Sequence, residues 1–518
     1  MAFISTTTGY WLLLTYGIFM IIITYLFARW KKYKTIQGFL VAERDVKWWL
    51  GAPSIAASWI WAPALFVSVQ MAYEKGLAGI FWFTFPNIIA LLLFIFLAPK
   101  IRNKLPYGYT LPQWILHKLK SERVHKMYLF PYFFYQLMAV TVQLFAGGSL
   151  LYLITGIPLI YGMIIMSLIV LAYSYISGLE ASIVTDLIQF LMIVIGVAIV
   201  IPLVVHAAGG FSSFNTTGYS GNFGNLFDPG VAFSYGIVTA IGLISGAISD
   251  QQYWQRAFAA KKKNIVPSFL FGAIMFGIIP IALSSLGFLA ANQSLGISLP
   301  AGVDISMIGI YTVSKFLSPA IIAIFVVMLL SALMSTLDSG IMAASSLYVR
   351  DVKKYSKEEY EIWQKIDEGK ELNPDEEIIS KRLNKKGVRD SRIAMFGIVF
   401  LGFLVALAAA NISGFGLQQL WWIFNTIAAC VVVPTILSLY WDRLSAKGVF
   451  WGVLIAFVIG IPLFVYGNII NNAYWIVGAS LFIITISTGF CLLFPKDEVE
   501  VELDKYNEIN QTRSLERQ

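Results

Sequence analysis

The sequence predicts an all-α, polytopic membrane protein of thirteen transmembrane helices, ten of them forming a 5+5 inverted repeat with a broken first helix. Composition is the first of three observations behind this. Hydrophobic residues make up 58% of the 518 and charged residues only 13%; mean hydropathy is +0.73. Soluble domains carry about 25% charged residues. The second observation is a set of thirteen apolar runs, on the scale of the roughly 20 residues that a bilayer crossing needs. They are 8–28, 47–73, 78–99, 127–155, 158–178, 181–206, 232–254, 265–290, 318–346, 393–411, 419–439, 447–466 and 475–494. The third is where Lys and Arg fall. With the N-terminus outside and the spans alternating, the inner segments 29–47, 100–126, 256–263, 350–392, 443–447 and 496–518 hold 35 of the 37 basic residues. Only Lys75 and Lys315 lie elsewhere, and the outer loops 207–231 and 467–474 hold none. Basic residues collect on cytoplasmic loops. The segregation therefore predicts a multi-pass protein of the cell membrane, N-terminus outside and C-terminus cytoplasmic.

Taken in order, residues 1–46 read as an extra helix followed by an inner loop. The run 8–28 is too long for a signal-peptide core and no basic segment precedes it, so it is expected to remain as a membrane helix. Residues 47–206 hold five helices that start from the inside. After the loop 207–231, residues 232–439 hold five that start from the outside. Two units of opposite polarity are the pattern of inverted-repeat transporters, whose sites lie near the midplane at discontinuous helices. Within the second unit, 350–392 mixes Glu358, Glu359, Glu361, Asp375, Glu376 and Glu377 with basic residues and reads as a solvated cytoplasmic hairpin. Residues 440–494 carry two further helices, and the tail 495–518 is too short for a signalling domain.

The net charge of +8 thus marks orientation, and nucleic-acid binding is not expected. Cys430 and Cys491 sit in apolar runs, and His117, His125 and His206 lie far apart. Neither a disulfide framework nor a metal enzyme fits that pattern.

The first repeat helix carries the break. From Trp48 to Pro63, Pro53, Pro63 and Gly51 flank the small residues Ser54, Ala56, Ala57 and Ser58. Each proline removes a backbone donor and leaves an upstream carbonyl without its partner. Two readings fit: a kinked helix packed through its alanines, or a break whose carbonyls face an ion or a solute. Trp59 and Trp61 lie too deep for an interfacial belt and read as packing residues or as walls of a solute cavity. Gln143, Asn87 and Asn425 also lie inside spans, where they would meet a solute or bond neighbouring helices.

Intramembrane carboxylates are costly and usually functional. Asp186 and Asp338 both lie roughly 8–12 Å in from the same end of their spans, at about 1.5 Å per residue, so one shared cation or proton site is geometrically allowed. Ala332, Ser335, Thr336 and Ser339 follow the i, i+3, i+4, i+7 spacing of one helical face. An oxygen-only ligand set suits a hard cation; the alternative is that each hydroxyl bonds its own preceding carbonyl. Asp250 reads as a helix-end charge paired with Arg256.

These residues also carry a resemblance. Gly38-Phe39-Leu-Val-Ala42-Glu-Arg44, Gly178-Leu-Glu-Ala-Ser-Ile-Val-Thr185-Asp186-Leu-Ile-Gln189 and Met334-Ser335-Thr336-Leu337-Asp338-Ser339 resemble the sodium/solute symporter family, over essentially the whole chain. Ser58-Trp59-Ile-Trp61-Ala62, Gly79-Ile-Phe81-Trp82, Gly147-Gly148-Ser149 and Asp250-Gln-Gln-Tyr253-Trp254-Gln255-Arg-Ala257 look most like its urea-transporting branch. Carbohydrate members tend to be polar where this chain has Pro63-Ala64. The resemblance implies a LeuT-like (APC) core and Na+ held by carbonyls of Ala57 and Ile60, or of Ala56 and Trp59 one residue earlier. The carbonyl of Ala332 and the hydroxyls of Ser335 and Thr336 complete that set. It also implies a second cation or proton site around Asp186, Asp338 and Ser339, with a carboxylate at 338 where some members have a hydroxyl. The implied activity is symport of a small organic solute, urea favoured over amino acids such as proline, pantothenate or monocarboxylates. Na+ is the coupling ion, with H+ the alternative, and no cofactor is expected. The partners are solute, ion and bilayer, with no obligatory protein partner. A sensor, a channel and a membrane enzyme are the readings from other classes.

Overall fold

A computed structural model describes residues 3–31, 35–176, 178–217, 224–411, 416–498 and 501–502; most of the tail 495–518 lies outside them. Among the described residues every extended element is helical, and the lone β-bridge joins Val46 to Ala260. The principal helices are α1 (Thr6–Lys31), α2 (Trp48–Trp59), α3 (Ser68–Leu92), α4 (Phe94–Lys104), α5 (Glu122–Thr155) and α6 (Leu159–Ile176). There follow α7 (Leu179–Ala207), α8 (Ile237–Ser249), α9 (Gln251–Ala259), α10 (Ile265–Ala290) and α11 (Pro319–Leu347). The rest are α12 (Lys357–Glu368), α13 (Pro374–Ala409), α14 (Leu417–Tyr440), α15 (Ala446–Ile469) and α16 (Ala473–Leu493).

Twelve helical segments, against thirteen apolar runs, are long and apolar enough to cross a bilayer. The difference arises between 47 and 104. With 12 residues, α2 is about 18 Å long, short of the roughly 30 Å hydrocarbon core. The next helical stretch, Pro63–Lys104, runs 42 residues, about 63 Å, twice that thickness. It is not one rod. Gly76 has φ 60° and ψ −140°, a conformation open to glycine. A methyl on Gly79 would lie 2.2 Å from the Met71 carbonyl oxygen, which is eight residues back and about 12 Å away in a continuous helix. The chain therefore folds back at Gly76, and its Leu77 amide bonds the Thr216 carbonyl at 3.2 Å.

The run 232–254, expected as one span, is also divided. Asp250 is extended (φ −87°, ψ 113°) between α8 and α9. The Ile248 carbonyl there accepts from the Tyr132 hydroxyl at 3.1 Å and the Trp254 indole at 2.6 Å.

Around these interruptions the bundle is close-packed. α10 lies against both arms of the broken segment, α2 and α3, while α7 packs on α2 and α11. The approach is backbone to backbone: a methyl on Gly287 would sit 2.3 Å from the Val69 carbonyl oxygen. In apolar surroundings, where burial alone does not drive helices together, such contacts through small residues bring backbones close.

The segment 350–392 is not simply solvated. α12 buries Ile362, Trp363 and Asp367. The Trp363 indole donates to the Tyr109 hydroxyl at 3.0 Å, and that hydroxyl donates to Asp367. Arg350 stacks between Trp363 (4.2 Å) and Tyr109 (4.4 Å). Burial pushes the Asp367 carboxyl above the usual carboxylate range, against the pull of Arg44 and Arg350. Charge mixing read as solvation because two aromatic anchors are enough to seat an otherwise polar helix. Trp363→Ala should cost about 3–5 kcal/mol of local packing and loosen α12. Limited trypsin digestion in detergent should then cleave between Lys353 and Lys370 at least tenfold faster than in wild type, with Trp363→Phe intermediate. Equal cleavage rates would mean that α12 is held by other contacts.

Candidate functional site

The break after α2 is a rearranged hydrogen-bond ladder. Ile60 leaves helical geometry (φ −82°, ψ 67°), its amide bonding the Ala56 and Ala57 carbonyls at 2.9 and 3.2 Å. In a continuous helix the Ala62 amide would bond the Ser58 carbonyl. Here the two are separated: the Ala62 amide donates to Gln143 Oε1 on α5 at 2.9 Å, and the Ser58 carbonyl accepts from the Thr336 hydroxyl on α11 at 3.1 Å. Pro63, with no amide hydrogen, supplies no donor to the Trp59 carbonyl. The Ser58 carbonyl of the broken segment thus meets the Thr336 hydroxyl of α11.

Beside this lies a buried ion pair. Arg256 Nη2 donates to Asp186 Oδ2 at 2.8 Å, with the two side chains 2% and 0% exposed. The remaining valences are filled by hydroxyls. Ser54 donates to Asp186 Oδ2 at 2.6 Å and Ser335 to Oδ1 at 2.5 Å. Arg256 Nε donates to Ser54 at 2.9 Å and its Nη2 to Ser339 at 2.6 Å, while Ser339 and Ser58 share a bond at 2.8 Å. Four helices, α2, α7, α9 and α11, meet in this network. Arg256 accordingly does not pair with Asp250, as the sequence suggested. Asp250 instead caps α9 through the Gln252 amide (2.9 Å) and accepts from Gln136 Nε2 (3.0 Å).

Ser335 and Thr336 diverge, one to Asp186 and one to the break. Asp338 faces away from both, toward Ser174 on α6. The two carboxylates expected to share a cation are thus turned to different partners.

Trp59 and Trp61 stack with centroids 5.4 Å apart and planes at 18°. Tyr253 closes one edge (5.3 Å) and Trp421 the other (6.2 Å). The indole N–H groups of Trp59, Trp61 and Trp421, together with Gln143 Nε2, are buried without a hydrogen-bond partner. Such donors are costly unless a ligand or water meets them. Asn87 is turned to its own helix, donating to the Phe83 carbonyl at 2.7 Å, and Asn425 accepts from Tyr135 at 3.2 Å. Two to six residues along α5 from Gln143, a cavity of about 650 Å³ opens between Phe145, Ser149, Gln70, Asp304 and Gln418.

Sequence reasoning missed Arg256, Ser54 and Ser58 as site residues. The serines carried a signal, their i, i+4 spacing inside the break. Arg256 carried none, because its partner is 70 residues away.

The sodium:solute symporter family matches residues 39–366. The Urea-proton symporter DUR3 of Oryza sativa subsp. japonica is 22% identical over 501 residues, covering 89% of this chain and 65% of the relative. The Sodium/pantothenate symporter of Escherichia coli is 25% identical over 348 residues, covering 65% and 64%. This chain spans 53–65% of the length of the five urea transporters it matches. Among solved structures, a Na+-coupled sialic acid symporter in a substrate-bound, outward-open state superposes with TM-score 0.70 over 95% of this chain and 99% of that one, at 18% identity. The two share a fold.

Removing one partner of a buried ion pair strands the other and costs about 3–5 kcal/mol. Arg256→Gln and Asp186→Asn should therefore each lower the unfolding temperature of the purified protein, and the double variant should recover much of the loss. A double variant no more stable than the worse single one would mean that the two charges are not coupled.

Proposed function

Because this chain belongs to the sodium:solute symporter family, we propose that it is a secondary active transporter, moving a small planar organic solute with Na+ by alternating access. One observation carries the reading: the separated Ser58–Ala62 pair, which opens backbone carbonyls toward the Thr336 hydroxyl deep in the bundle. A Na+ seated there would take oxygens from Ala57 and Ile60 on one side and from Ala332, Ser335 and Thr336 on the other. Such a site couples two moving parts, since its ligands come from different helices and are complete only when those helices approach.

Folding back at Gly76 supports thirteen crossings, with α2 and the stretch up to Gly76 forming one broken span. A second interruption at Asp250, in the first helix of the second unit, supports the inverted repeat 47–206 and 232–439. In this arrangement the N-terminus lies outside, and the basic ends of the helices, with α12, lie in the cytoplasm of a cell-membrane protein.

For the solute, the unpartnered indole and amide donors beside the Trp59–Trp61 stack favour a flat molecule offering acceptors, and urea is the first choice. Its carbonyl oxygen would accept from the indoles while its plane lies on a ring. Gln143 is positioned to contact it, and Asn425 lies on the neighbouring helix face.

Uptake of labelled urea into proteoliposomes, with Na+ replaced by choline and with an imposed proton gradient, tests substrate and ion together. Na+-dependent accumulation against the gradient supports the proposal; accumulation driven by protons alone would assign the coupling to H+, and passive equilibration would indicate a channel. Thr336→Ala should raise the Na+ concentration for half-maximal uptake about tenfold, the equivalent of a lost interaction of roughly 1.4 kcal/mol. Trp59→Phe and Trp61→Phe keep a ring but lose a donor. They should raise the solute KM two- to tenfold, for a net hydrogen bond of about 0.5–1.5 kcal/mol, and leave the Na+ dependence unchanged. Unaltered KM in both would return the pair to a packing role.

A further inference from the structure

At the basic end of the bundle, a cavity of about 750 Å³ lies between the α6–α7 turn, the short helix Ile36–Val41 and the N-terminal half of α13. Six cations line it, Lys381, Arg382, Lys385, Lys386, Arg389 and Arg392, and among the described residues no carboxylate does. Three of the six are answered from outside the cavity. Lys386 pairs with Glu359 at 2.8 Å, Arg389 with Asp390 at 3.1 Å and Lys381 with Glu377 at 3.8 Å. Arg382, Lys385 and Arg392 make no ion pair among the described residues. Arg392 is nevertheless held in place: its guanidinium lies 4.2 Å from the Tyr175 ring centroid, and Nε donates to the Tyr175 carbonyl at 3.1 Å. The opposite wall is tied to α13 as well, the Ile36 amide donating to Asn384 Oδ1 at 2.8 Å. Like charges gathered around one concavity repel one another, and an anion seated among them relieves this.

The cationic stripe continues into the membrane. Arg382, Lys385, Arg389 and Arg392 recur at steps of three and four residues along α13, and the same steps lead on to Phe396 and Phe400. That spacing keeps all six on one helical face. Phe396 and Phe400 are 57% and 60% exposed. One face of α13 is thus cationic up to the start of the apolar run and bare and apolar beyond it. We infer that the cavity binds the headgroup of an anionic phospholipid from the leaflet at this end of the bundle, its acyl chains lying on Phe396 and Phe400. The phosphodiester oxygens would accept from Arg382 and Arg392, whose planar donors suit a phosphate, while Lys385 adds charge. Basic pockets between membrane helices hold anionic headgroups in this way. A soluble phosphate would meet the same cations, but it would leave the adjoining apolar strip without a role. The inference rests on the helices crossing a bilayer, not on the solute or the coupling ion.

Titration of the purified, delipidated full chain with dioleoylphosphatidylglycerol, the bound lipid counted by native mass spectrometry, tests this. One site should fill well before dioleoylphosphatidylcholine binds. A cation at a membrane surface contributes about fivefold to the affinity for anionic lipid, so Arg382→Gln combined with Lys385→Gln should weaken that site about tenfold or more. Both side chains are exposed, and the unfolding temperature should not change. Lys262→Gln with Lys263→Gln removes the same charge from exposed residues of another basic segment and should leave the site intact. Glycerol 1-phosphate, a headgroup without acyl chains, should not displace the lipid at equal concentration. Displacement by it would overturn the lipid assignment in favour of a soluble phosphate. Equal affinity for the two lipids, undiminished binding in the cavity double variant, or an equal loss in the Lys262/Lys263 pair would overturn the cavity site altogether. None of these results bears on solute uptake, so the transport reading stands or falls separately.

Discussion

In hydrocarbon no water is present to satisfy a backbone group, so each amide and carbonyl needs a partner inside the protein. That constraint governs the centre of this molecule. Pro63 cannot donate, and Ile60 leaves helical geometry. The Ser58 carbonyl and Ala62 amide then become polar groups without a ladder. Gln143 takes the amide and Thr336 the carbonyl, which ties the break to α5 on one side and α11 on the other. Around Asp250 the same pressure recruits Tyr132 and Trp254 to the Ile248 carbonyl. Breaks that would be defects in isolation become the points where helices are joined by side chains.

Charge obeys the same accounting at higher stakes. Desolvating an ion costs several kcal/mol even after relaxation, and a buried pair recovers this only when its remaining donors and acceptors are also filled. Around Asp186 and Arg256 they are filled, by Ser54, Ser335 and Ser339. This explains why small hydroxyl residues crowd α2 and α11 where they face each other: serine supplies a donor and an acceptor in little volume. It also bears on the proposed transport. The network draws on four helices, so any rearrangement that opens the bundle on that side must first separate groups that water cannot yet reach.

The aromatic wall shows the converse arrangement. Trp59, Trp61, Tyr253 and Trp421 are packed ring on ring or edge on ring, favourable geometries for aromatic pairs, yet their indole donors lack partners. In a finished core nearly every buried donor is paired, so these unmet donors are what the proposed solute site rests on. At the basic end of the bundle, α12 is a finished contact in this sense, its Trp363 and Tyr109 both bonded.

By itself the sequence determined what depends on neighbours a few residues apart. Apolar runs mark the helices, Pro53 and Pro63 mark the interrupted segment, and the i, i+3, i+4, i+7 spacing puts Ser335, Thr336 and Ser339 on one side of α11. What only the tertiary structure decided is the choice of partners. Asp250, six residues from Arg256, is the obvious candidate along the chain, yet the guanidinium reaches Asp186, 70 residues away. Thr24 and Asp338, 314 residues apart, line one small space. The burial of Trp363 was equally hidden among charged neighbours. The physical reason is that periodicity specifies the face of a helix but not its rotation and height against others. A few ångströms in either decide which side chain lies within hydrogen-bond reach.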